Sequence, residues 1–106
     1  MPETMQDLLL KYPPREIDPD ERQRLDEWLA RASDVSAAYV SRRRTDDPAL
    51  YRRIVIAVGP GAEPTHVIHA PTGMRLWLKL SLGGEPQVEM FDTLVTALNS
   101  IRHVLD

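Results

Sequence analysis

Residues 74–82 place the tightest constraint on the fold. Met74, Leu76, Leu78, Leu80 and Leu82 alternate with Arg75, Trp77, Lys79 and Ser81, and a period of two marks a β-strand whose successive side chains leave on opposite faces. The leucine face is predicted to line a core, and the face carrying Arg75, Trp77, Lys79 and Ser81 to look outward. Gly83-Gly84-Glu85-Pro86 then reads as a turn, and residues 87–90 as a short final strand. Upstream, residues 50–58 are rich in β-branched side chains and stop at Gly59-Pro60-Gly61, which predicts another strand and turn. Residues 65–69 are a candidate for a shorter strand between them.

Helical signals flank these strands. Asp18-Pro19-Asp20-Glu21 supplies a cap, a proline at the first helical position and an acidic residue three positions after the cap. Leu25, Trp28, Leu29, Ala32, Val35 and Tyr39 follow at helical spacing, so the helix is expected to run from Pro19 to about Arg43. Arg42, Arg43 and Arg44 would then complement the negative end of its dipole. At the other end of the chain, Phe91, Leu94, Val95, Leu98, Ile101 and Leu105 make an apolar stripe that predicts a core-facing helix. A short helix over residues 4–12, carrying Met5, Leu8, Leu9 and Tyr12, is expected to stop at Pro13-Pro14.

Each amphipathic element must cover another, so the predicted class is α+β. The arrangement is an antiparallel three- to four-stranded meander with two main helices, one before and one after the strands, packed on one face. The 106 residues suit one α+β domain over 1–106, with 1–17 as short helix and proline-containing linker and 18–106 as the core.

Composition removes several function classes. A net charge of -3 disfavours general binding to nucleic acid or anionic membranes through charge. The chain has no cysteine, which removes disulfides, thiolate metal sites and thiol nucleophiles together. The acidic N-terminus and the shortness of every apolar run predict a soluble, cytoplasmic protein without a signal peptide or membrane span.

Candidate chemistry is sparse, and no cofactor or metal is expected. His66 and His69 are three apart on a strand and point to opposite faces, which makes them poor joint metal ligands. Residues 59–64 contain glycines but lack the Gly-Lys-Ser/Thr end of a phosphate loop. Asp18, Asp20, Glu21, Asp46 and Asp47 lie at a helix start and a helix end, where capping and solvation account for them. No nucleophile-elbow pattern is present.

The strongest candidate for function is an interaction surface of Tyr51, Arg53, Arg75, Trp77 and Lys79. If the outer faces of the two longer strands align, these residues form an aromatic and basic patch suited to a protein partner or a second copy. Docking of the 4–12 helix on Trp77 would cover that patch instead. The expected function is a small non-enzymatic interaction or regulatory module, homodimeric through a sheet face or edge. The alternative is a ligand binder or enzyme using a cleft between sheet and helix near His66 and His69.

The order helix, strands, helix over about residues 19–106 also resembles the double-stranded RNA-binding domain, with Gly59-Pro60 and His66 in positions similar to that family's loop between its first two strands. The resemblance implies recognition of an RNA duplex. The chain departs from the family at the start of the last helix, where Phe91-Asp92-Thr93-Leu94 replaces a lysine cluster that would hold phosphates.

Overall fold

Helix α1 (Pro19–Arg31) begins where its capping signals place it. In the computed structural model, which describes residues 13–42, 51–61, 63–82 and 87–105, the Asp18 carboxylate accepts from the Glu21 amide at 2.9 Å. The Glu21 carboxylate in turn accepts from the Asp18 amide at 3.1 Å, which completes the reciprocal capping box. Arg15 closes on the same glutamate through two bonds of 2.8 and 2.6 Å, and so ties the lead-in segment to the helix.

The helix ends at Arg31 rather than continuing to about Arg43. Ser33 and Asp34 turn the chain, and β1 (Val35–Val40) takes up what would have been the second half of the helix. The apolar positions Val35 and Tyr39 fit a helical stripe and a strand alike. Pairing with β2 (Ile54–Val58) decides the outcome, because the backbone groups on the inward side of the segment then find partners across the ladder.

From there the chain is a meander. The strands β1, β2, β3 (His66–His69), β4 (Trp77–Ser81) and β5 (Gln87–Phe91) lie side by side in chain order in one five-stranded sheet, every neighbour antiparallel. The α+β class stands, with one strand more than the three or four expected. Helix α2 (Leu94–Ile101) closes the order, its first turn capped by the Thr93 hydroxyl, which accepts from the Thr96 amide at 3.1 Å. A helix, five strands and a helix is also a different order from the three-stranded plan of the double-stranded RNA-binding domain.

Both helices pack on one face of the sheet. Their contribution to the core is Leu25, Trp28, Leu94, Ala97, Leu98 and Ile101, against Ala38, Ile54, Ile56, Ile68 and Trp77 from the strands. Each large side chain enclosed this fully contributes roughly 1.5–3 kcal/mol. The Trp28 indole Nε1–H donates to the Arg102 carbonyl at 2.9 Å, fastening α1 to the end of α2. The opposite face of the central strands is buried as well, at Val55, Ala57, Val67, Leu78 and Leu80.

The proline-containing stretch expected as a linker is in part tied to the sheet. Pro14 bridges to Pro71, the Arg15 amide donates to Ala70 at 2.8 Å, and the Thr72 amide donates to Pro13 at 2.9 Å. The predicted helix over residues 4–12 lies outside the described residues. No helix among those described is long and apolar enough to cross a membrane.

Candidate functional site

The sheet register separates the predicted aromatic and basic patch into parts. Residues directly opposite one another in an antiparallel ladder share a face, so Val40, Ile54, Ile68, Lys79 and Glu89 form one row and Tyr39, Val55, Val67, Leu80 and Val88 form the next. Trp77 and Lys79 therefore belong to the helix-covered face. Arg53 precedes Ile54 and falls with Val55 on the other. The two strand faces that were expected to align are on opposite sides of the sheet.

Burial completes the correction. Trp77 is 4% exposed, and Arg53 and Lys79 are equally enclosed. Trp77 sits in the core shared with both helices, while the Arg15 guanidinium lies 5.1 Å from its ring centroid. Tyr51 is half-buried and Arg75 exposed, each just before its strand. The alternation over residues 74–82 correctly groups residues by face, but the face with Trp77 is the one the helices cover.

Lys79 has a definite task in this core. Its ammonium lies 3.2 Å from Glu89 Oε1 on β5, donates to Ser100 Oγ on α2 at 2.9 Å, and lies 5.4 Å from the Phe91 ring centroid. The Ser100 hydroxyl in turn donates a hydrogen bond to the Ala97 carbonyl at 2.6 Å. A serine nucleophile needs its hydroxyl proton directed at a base; here the Ser100 hydroxyl points at the Ala97 backbone carbonyl and accepts from Lys79. The cluster acts as a latch that fixes β5 and α2 to β4.

His66 and His69 point to opposite faces, as their spacing predicts: His66 stands across from Ile56 and Ser81, His69 across from Leu78. His66 borders a depression of about 460 Å³ with Thr65, Ser81 and Glu63. Burial pushes its pKa below the ordinary value, the cations Lys79 and Arg102 push it the same way, and Glu89 opposes them. Thr65 Oγ1 lies 2.9 Å from His66 Nδ1, but the same oxygen accepts from the Val58 amide and donates toward the Ile56 carbonyl. That hydroxyl is structural. His69 is buried on the far face, so the two histidines do not share a cleft. No group of three or more His, Asp or Glu side chains among the described residues is placed to hold a metal ion.

The rim of the sheet offers a different surface. β5 is the last strand of the order, and among the described residues no strand pairs with its outer edge. Gln87, Val88, Glu89 and Met90 are all exposed, with Met90 at 70% and Val88 at 43%. Both apolar side chains stand on the face away from the helices, in register with Leu78 and Leu80. An unpaired strand edge presents alternating donors and acceptors to any extended chain that approaches it.

The other edge is blunted. The register of β1 against β2 slips between Val35 and Ala37, a bulge that bends the strand and interrupts the ladder. There the Ser36 hydroxyl lies 3.1 Å from the Ala57 carbonyl and 2.9 Å from the Gly61 carbonyl. Among the described strands β5 combines an uninterrupted ladder with two exposed apolar side chains, whereas the ladder of β1, which carries the exposed Tyr39, is broken by the bulge. Sequence reasoning identified residues 87–90 as a strand but not as the rim; the signal was available in its position as the last strand of a meander.

No family model, curated protein sequence or solved structure matches the chain.

Proposed function

We propose that this chain is a non-enzymatic interaction module that associates with a second copy of itself through the outer edge of β5. The observation that carries the reading is the exposed strand at the rim of the sheet, with an uninterrupted ladder and two exposed apolar side chains, Val88 and Met90. Pairing of β5 with its symmetry mate extends the sheet across a two-fold axis, which makes the contact self-complementary and closes it at two subunits. Val88 and Met90 then pack beside the same residues of the second copy along the shared ladder, and the unpaired backbone groups of the two edges pair with each other.

The blunted β1 edge supports the same reading, because a second sticky edge would allow open-ended growth rather than a dimer. Light scattering of the wild type beside Met90→Lys, with circular dichroism to establish that both are folded, tests the proposal. A wild-type dimer and a folded monomeric variant are expected. A folded wild-type monomer at high concentration removes self-association.

A further inference from the structure

At the opposite end of the sheet from β5, a cavity of about 300 Å³ lies between α1, the end of β1 and the residues that lead into β2. Arg22, Arg42 and Arg52 line it, with Glu16 as the one carboxylate in the lining among the described residues. None of the three arginines makes an ion pair among the described residues, whereas Arg15, Arg24 and Arg102 each hold a carboxylate. Among the described residues the lining therefore carries three cations and one anion, a local excess of positive charge in a protein whose net charge is -3.

Arg52 adds a second, independent observation. It is the one non-glycine residue with a positive φ among those described, at 66°. A side chain pays for that conformation by steric crowding, and such strain persists where the surroundings fix it. Here the Arg52 amide donates to the Ser41 carbonyl at 2.7 Å and the Ser41 amide donates to the Arg53 carbonyl at 2.9 Å. The guanidinium lies 5.3 Å from the centroid of the Tyr51 ring, which restricts it further.

We infer that this pocket binds a small phosphate monoester with an apolar body. Guanidinium groups match phosphate oxygens in paired hydrogen bonds and stay charged at every physiological pH. An excess of guanidinium groups in the lining favours a dianion over a monoanion. Ile17, Val40 and Tyr51 supply the apolar wall on which the rest of the ligand would rest. The site is separate from the β5 edge, so either can fail without the other.

Titration of the isotope-labelled full chain with phenyl phosphate, followed by amide NMR, tests the inference. Saturable shifts at Ser41, Tyr51 and Arg52 are expected, with binding weakened at least tenfold by Arg42→Ala and by Arg52→Gly. The glycine variant suits its backbone conformation, so its loss of binding is not a loss of fold. Inorganic phosphate and benzoate should each bind more weakly than phenyl phosphate. Absence of saturable shifts, or shifts unchanged in both variants, overturns the site. Benzoate binding as tightly overturns the phosphate assignment, and inorganic phosphate binding as tightly overturns the apolar body.

Discussion

The Lys79 ammonium, almost wholly enclosed, lies 3.2 Å from the Glu89 carboxylate, which is half in solvent. The asymmetry of the pair sets the effect of breaking it. Removing the carboxylate leaves an enclosed cation with the Ser100 hydroxyl and the Phe91 ring but no counter-charge among the described residues, while removing the cation leaves an anion that water can solvate. Glu89→Gln is expected to cost about 1–2 kcal/mol by urea denaturation, between the values for exposed and fully buried pairs. Lys79→Met should cost less. A larger loss from Lys79→Met would contradict the account of the latch.

Trp28 and Trp77 are the two tryptophans of the chain, and both are buried in the same core. With Trp28→Phe, Trp77 becomes the only indole, and its fluorescence reports directly on the covered face. Its emission should be blue-shifted and resist quenching by acrylamide. Emission typical of indole in water would restore the outward-facing Trp77 and reverse the face assignment of β4.

The same residue shows how far the sequence could be read. The alternation over residues 74–82 fixes which side chains travel together, but a strand covered on both faces carries no sign of which side the helices take. Leu78 and Leu80 are as enclosed as Trp77. The capping box of Asp18 and Glu21 was legible because it is local: its parts lie within three residues. The end of α1 was not, because Val35 and Tyr39 satisfy a helical stripe, and only pairing with Val58 and Val55 across the ladder makes them a strand. The arginine pocket joins Glu16, Ile17 and Arg22 to residues 40–42, Tyr51 and Arg52, a juxtaposition that exists only once β1 has formed.

His66 gives the protein a pH response of known sign. Its pKa is lowered by burial first and by Lys79 and Arg102 next, so the folded state favours the neutral ring more than the unfolded chain does. Between the folded pKa and the unfolded value near 6.5 the unfolded state binds more protons, and stability rises with pH. The contribution is fully present above about pH 6.5 and is lost as pH falls through the folded pKa. Urea midpoints of the wild type should therefore fall between pH 7.5 and pH 5, and His66→Gln should reduce that difference. An unchanged difference in the variant would show that His66 does not carry it.

Arg52 separates strain from binding. Glycine adopts a φ of 66° without crowding but loses more backbone freedom on folding, two effects of about 1 kcal/mol that oppose one another. Arg52→Gly should leave stability unchanged or raise it by up to about 1 kcal/mol. Arg52→Val, with a branched Cβ in the same conformation, should lower it. Equal destabilisation by both would mean that the Arg52 side chain is needed for the fold.

Self-pairing of β5 is tested most directly by a distance between copies. The chain has no cysteine, so Gln87→Cys accepts a single spin label on the exposed strand. Antiparallel pairing of two five-residue strands keeps equivalent positions within roughly 30 Å, given about 3.4 Å per residue. Pulsed electron spin resonance of the labelled protein should show one narrow intermolecular distance in that range, abolished when Met90→Lys is added. A flat trace with no defined distance, from folded protein at a concentration where dimers are expected, would contradict association through this edge.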